Sequence, residues 1–112
     1  MLMVEVKIFR EKGPISGFEI SGHAIKPGLL SKNKFDLVCA GVSSVSITAL
    51  NGLVEYLGIR LENPQCEDGY IHCMLPADIE DIQDLKAQAI LETMVLGLQE
   101  IAKDFPKYVK FV

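Results

Sequence analysis

The chain has 112 residues, a formal net charge of −4 and an isoelectric point near 5.1, with 49% hydrophobic and 23% charged residues. That length fits one domain spanning 1–112, and that composition reads as an ordinary soluble globular protein. An acidic chain excludes a protein that grips nucleic acid unaided, because phosphate contacts need a basic footprint, and it favours a basic protein or peptide as partner.

Leu2, Val4, Val6 and Ile8 alternate with Met3, Glu5, Lys7 and Phe9, which predicts a first strand rather than an export signal. Lys12-Gly13-Pro14 marks a turn, and Phe18, Ile20 and Gly22 set against Glu19 and Ser21 predict a second strand returning as a hairpin. His23 falls at the end of that strand. Residues 26–35 read as a loop rich in Pro, Gly, Ser, Asn and Lys. Asp36 is then the expected N-cap of a helix, placing Cys39 at its third position. Val38, Val42, Val45, Ala49, Leu53 and Leu57 keep helical spacing up to Gly58.

Leu37 to Val54 contains no charged residue, which reaches the length of a membrane span. Ser43, Ser44, Ser46, Thr48 and Asn51 make it too polar for that, so the expectation is a helix buried on most of its circumference. Ile59–Leu61 and Tyr70–Leu75 predict two further strands. Asp78 is the expected cap of a second helix with an apolar face of Ile79, Ile82, Leu85, Ala89, Met94, Leu98 and Ile101. Pro106 bars its continuation, and Tyr108–Val112 gives a closing strand. The order ββαββαβ predicts an α+β fold, a mostly antiparallel sheet with two helices.

Cys39, Cys66 and Cys73 are an odd number without a disulfide framework's spacing, so reduced thiols and a cytoplasmic location are expected. Cys66, His72 and Cys73 match no zinc-site spacing, and nothing calls for a metal or cofactor. His72 and Cys73 are adjacent in a strand, so their side chains point to opposite faces. The acidic run Asp78, Glu80, Asp81 and Asp84 suits a helix start, or a docking patch for a basic partner.

One pair of residues carries chemistry. A Cys near a helix start meets free amide groups and the positive end of the helix dipole, which favour its thiolate. His23, a loop upstream, is placed to take its proton, the pairing of a cysteine nucleophile with its base. Against this stands the bland reading of Cys39 as a small buried hydrophobe. Gly22 permits a tight exit from the strand or the close approach of a substrate backbone. Asp36 has a sufficient role as the helix cap. Ser43 lies one turn after Cys39 on the same face.

Ser21-Gly22-His23-Ala24 followed by Asp36-Leu37-Val38-Cys39-Ala40-Gly41-Val42-Ser43 resembles the signature of the Prp family of bacterial ribosomal-processing cysteine proteases. The resemblance implies that Cys39 is the nucleophile and His23 the base. It marks Gly22, Asp36 and Ser43 as supporting residues, and helix-start amides, that of Cys39 included, as oxyanion donors. It further implies removal of the N-terminal extension of large-subunit ribosomal protein number twenty-seven, cut after a hydrophobic segment ending in Phe, by a cytoplasmic homodimer without direct nucleic-acid or membrane contact. The loop departs from the family's pattern of a shorter, Gly-containing segment, and its Leu29, Leu30 and Phe35 are the candidates for covering a substrate. The rival classes are a non-enzymatic ribosome-associated binding module and a thiol enzyme acting on a small acyl or redox substrate. The absence of a CxxC pair counts against a dithiol oxidoreductase.

Overall fold

Alternation of apolar and polar side chains builds the first hairpin as expected. The computed structural model describes residues 3–22 and 34–112. β1 (Val4–Arg10) pairs antiparallel with β2 (Ile15–Ser21), in a register that sets Glu5 opposite Ser21 and Ile8 opposite Phe18. The helix α1 (Lys34–Asn51) continues as a π-helical turn over Gly52–Tyr56. Then come β3 (Glu62–Glu67), β4 (Tyr70–Met74), α2 (Asp81–Asp104) and β5 (Val109–Phe111). The sheet order is β3-β4-β2-β1-β5, and all neighbours are antiparallel except β1 and β5, which run parallel. This is the α+β fold, in the order ββαββαβ.

Both helices cover one face of the sheet. Val4, Val6, Phe18, Ile20, Ile71 and Cys73 point into a core shared with Val38, Cys39 and Val42 of α1 and with Leu91 and Leu98 of α2. The alternate residues Glu5, Lys7, Glu19 and His72 lie on the opposite face. Gln88 of α2 pins the hairpin from the core side: its amide accepts from the Ile15 N–H at 2.8 Å and donates to the Ile15 carbonyl at 2.7 Å.

Four expectations need correction. The third strand is Glu62–Glu67, not Ile59–Leu61. Ile59 and Leu61 are buried, but apolar character reports burial and not ladder pairing, whereas β3 is an edge strand whose residues are all exposed. Asp78 does not cap α2. Glu80 holds that place, and Asp78 lies in the turn closed by the Ile79 N–H on the Pro76 carbonyl at 3.2 Å.

Of the apolar face expected for α2, Met94 and Leu98 are buried, together with Ala87, Leu91 and Val95, while Ile82 and Leu85 are 64% and 71% exposed. The sequence holds two apolar stripes at helical spacing, and periodicity does not say which one turns inward. Finally, α1 is not buried around most of its circumference. Val38, Val42, Ala49 and Leu53 face the core, whereas Leu37, Ala40, Ser44, Thr48 and Val54 are exposed. Through Tyr56 this helix is long and apolar enough to cross a membrane by length and composition, and here one side of it packs on the sheet and α2.

Gly58 ends this helix as expected, at φ +68°, a left-handed conformation that costs glycine little. Gly97 of α2 lets the helices approach closely, where an added Cβ would stand 3.3 Å from Val45 Cγ1.

Candidate active site

Two elements meet at Cys39. From the sheet comes the end of β2, where Gly22 stands at φ +87° and donates its N–H to the Gly69 carbonyl at 2.9 Å. A Cβ on Gly22 would collide with the Met3 carbonyl oxygen, so both conformation and packing exclude any other residue. From α1 comes Cys39, whose Sγ lies 4.0 Å from the Gly22 carbonyl oxygen, a long S–H···O contact. The turn before β4, with Glu67, Asp68 and Gly69, is therefore part of the site's rim. Its turn residues were legible in the sequence, but its approach to Gly22 was not. Tyr70 follows it and donates its hydroxyl to Glu19 at 2.7 Å on the outer face.

The helix is already formed at Lys34, so Asp36 is its third residue and Cys39 its sixth. Asp36 is therefore no N-cap, and Cys39 lies in the second turn. The amide of Cys39 falls beyond the four free N–H groups of the helix start, which removes it as an oxyanion donor. The dipole's benefit fades within the first turn. Cys39 is fully buried, and its thiol is pushed up to about 11, first by burial and then by the Asp36 carboxylate. Loss of hydration and the neighbouring carboxylate thus both act against the thiolate that the helix start was expected to favour.

Asp36 is 7% exposed, and its Oδ2 has no hydrogen-bond partner among the described residues. Ser43 is half-buried one turn after Cys39. Ser46 is the serine whose hydroxyl bonds back along the helix, to the Val42 carbonyl at 2.6 Å. The loop expected to reach Phe35 has become helix by Lys34, and Phe35 is buried against the Tyr108 ring with centroids 5.8 Å apart. Phe35 thus anchors the start of α1 in the core. His23, Leu29 and Leu30 lie outside the described residues.

The other imidazole is on the wrong side. His72 stacks on Tyr70 at 6.4 Å with an interplanar angle of 8°, beside Phe9 on the outer face, while its neighbour Cys73 points into the core. Burial pushes the Cys73 thiol up to about 12, and Cys66 is exposed on the edge strand. Among the described residues no cluster of three His, Cys, Asp or Glu side chains is placed to hold a metal ion.

A strand end and a helix thus bring Gly22, Asp36 and Cys39 together, with His23 following Gly22 directly in the chain. The family model for cysteine protease Prp matches residues 3–110, nearly the whole of this fold. The chain belongs to the cysteine protease Prp family. It is accordingly a peptide-bond hydrolase, which sets aside the non-enzymatic reading.

The ribosomal processing cysteine protease Prp of Bacillus subtilis is 31% identical over 106 residues, covering 94% of this chain and 90% of that one. A crystal structure of an essential Prp from Staphylococcus aureus in complex with a substrate peptide superposes with a TM-score of 0.76. It is 25% identical, with 98% of each chain covered. The same enzyme with a covalently linked product peptide gives a TM-score of 0.69 at 25% identity, over 99% of this chain and 97% of that one. The likeness to these Prp structures extends over both helices and the whole sheet.

Proposed function

We propose that this chain removes the N-terminal extension of bacterial large-subunit ribosomal protein number twenty-seven, cutting after a hydrophobic segment ending in Phe, with Cys39 as nucleophile and His23 as base. The observation that carries this reading is the meeting of Cys39 Sγ with the Gly22 carbonyl, which brings the nucleophile to the residue immediately before the only other histidine in the chain besides the outward-facing His72. In the reaction His23 takes the thiol proton as the sulfur attacks the scissile carbonyl carbon. The C–N bond breaks and His23 returns the proton to the departing amine. Water, deprotonated by the same imidazole, then attacks the thioester, giving the new carboxylate and restoring the thiol.

Gly22 keeps the strand end open to a peptide backbone, and Asp36 and Ser43 support the helix that carries the sulfur. Leu29 and Leu30 cover the hydrophobic segment of the substrate. The enzyme works in the cytoplasm as a homodimer. The uncharged outer side of α1 supports the dimer, since Ser44, Thr48 and Gly52 line a groove of about 610 Å³ against Ile90 and Thr93 of α2.

Incubation with the extended ribosomal protein, read by intact mass, tests the reading. A product shortened by the extension is expected from the wild type and none from Cys39→Ala. Full cleavage by Cys39→Ala would remove the nucleophile assignment.

A further inference from the structure

We propose that the outer face of the sheet is an exosite for an arginine- and lysine-bearing segment of the protein substrate. The segment docks on the rings of Phe9, Tyr70 and His72 and on the carboxylates of Glu19 and Glu67. This rests on the reading of the substrate as a ribosomal protein, since a protein that binds RNA must itself carry positive charge.

Strand pairing assembles the surface. Ser21 pairs with Tyr70 and Glu19 with His72, so alternation sends these four side chains to the side away from both helices. Glu67 stands opposite Tyr70 on β3 and is exposed. The His72 ring lies parallel to that of Tyr70, with 8° between the planes, and meets Phe9 edge to face at 6.0 Å. His72 Nδ1 lies 3.2 Å from the Asn63 carbonyl oxygen, which holds the ring in place. Three half-buried rings thus form a strip that runs from β1 to β4.

Negative charge is fixed beside the rings. Tyr70 donates its hydroxyl to Glu19 Oε1 at 2.7 Å, so the carboxylate is ordered before any ligand arrives. The phenol is held above its ordinary value, first by that bond, then by burial and by the charges of Glu19 and Glu67. The described ion pairs, Arg10 with Glu92 and Lys110 with Glu5, put no cation on Glu19 or Glu67. Lys7, opposite Glu19 in the ladder, is one positive charge against two carboxylates. A guanidinium fits this combination, because it stacks on a ring face while its N–H groups bond a carboxylate. Rings on an open sheet also stack the bases of single-stranded nucleic acid, but such a strand brings phosphates, which Glu19 and Glu67 repel.

The strip borders the candidate active site. Ser21 precedes Gly22, whose N–H is bonded to the Gly69 carbonyl in the turn between Glu67 and Tyr70. A chain held on the rings therefore reaches the strand exit beside Cys39. Such docking raises the local concentration of the scissile segment without touching the reacting atoms.

Glu19→Lys reverses the charge at the centre of the strip. Cleavage is measured on the extended ribosomal protein and on a synthetic peptide holding only its extension and cleavage site. For the protein, KM should rise about tenfold with kcat within about twofold, while both constants for the peptide stay within about twofold. High salt should bring the wild type toward the variant on the protein alone. In parallel, the anisotropy of a fluorescein-labelled peptide of alternating arginine and glycine is followed on Cys39→Ala, with and without Glu19→Lys. Binding weakened about tenfold by the reversal is expected. An unchanged KM for the protein, or equal losses on protein and peptide, overturn the proposal. Tighter binding of a labelled polyuridine strand than of the arginine peptide overturns it as well. Where Glu19→Lys does not fold, Glu19→Gln decides: a rise of about threefold in KM for the protein supports the exosite, and no rise sinks it. A wild type that leaves the extended ribosomal protein intact would instead remove the reading of the substrate, and binding of the arginine peptide then decides the docking face by itself.

Discussion

Cys39 Sγ and the Gly22 carbonyl oxygen stand 4.0 Å apart, joining the second turn of α1 to the exit of β2. This contact ties the buried thiol of a Prp-family chain to the strand end that, in sequence, leads into His23. It also encloses the thiol, and the enclosure sets the order in which the cysteines react.

Cys66 is exposed while Cys39 and Cys73 are buried, with thiols pushed up to about 11 and about 12. The thiolate is the reactive form, so at pH 7 a limiting dose of iodoacetamide labels Cys66 first in the free protein. Labelling of Cys39 then accelerates as the pH rises. Peptide mapping reads the order, and preferential labelling of Cys39 at pH 7 would show that the site lowers rather than raises its thiol.

The same two thiols make stability fall at high pH. Their folded pKa values lie above the ordinary 9.0, so the neutral form is favoured by folding. Their contribution is therefore complete below pH 9 and is lost as the pH rises toward 11 and 12. Urea unfolding at pH 8 and pH 10.5 should show the loss, and Cys73→Val should flatten it. An identical decline in Cys73→Val would place the effect elsewhere.

Gly22 and Gly58 both have positive φ, but only Gly22 is closed in, by the Met3 carbonyl, whereas nothing stands within 4 Å of a Cβ at Gly58. Gly58→Ala should cost about 1 kcal/mol from backbone strain alone. Gly22→Ala should cost roughly 2–4 kcal/mol, because β1 must also move, and it should abolish cleavage by shifting the strand end. Chemical denaturation of both variants, read side by side, checks the ordering.

Gln88→Ala should cost about 1–3 kcal/mol, because it leaves both the N–H and the carbonyl of Ile15 unpaired against α2. Cleavage activity of the folded fraction should be retained, since Gln88 holds the far end of the hairpin. A loss below about 0.5 kcal/mol would mean that water replaces both bonds.

Local pattern in the sequence was enough for the element order, the hairpin, the Gly58 and Pro106 stops and the family to which the chain belongs. These depend on alternation, helical spacing and turn residues, which act over a few positions. Tertiary structure alone decided the rest. It chose which of two apolar stripes of α2 faces inward, leaving Ile82 and Leu85 outside. It paired the polar segment Glu62–Glu67, with no alternation to announce it, because an edge strand needs only a backbone neighbour. It began α1 before Asp36, where Phe35 could bury against Tyr108, and so moved Cys39 out of the first turn. Residue order places a cysteine near a helix start, but the electrostatic sign of the site comes from what surrounds the sulfur, and the fold surrounded it with apolar side chains and a buried carboxylate.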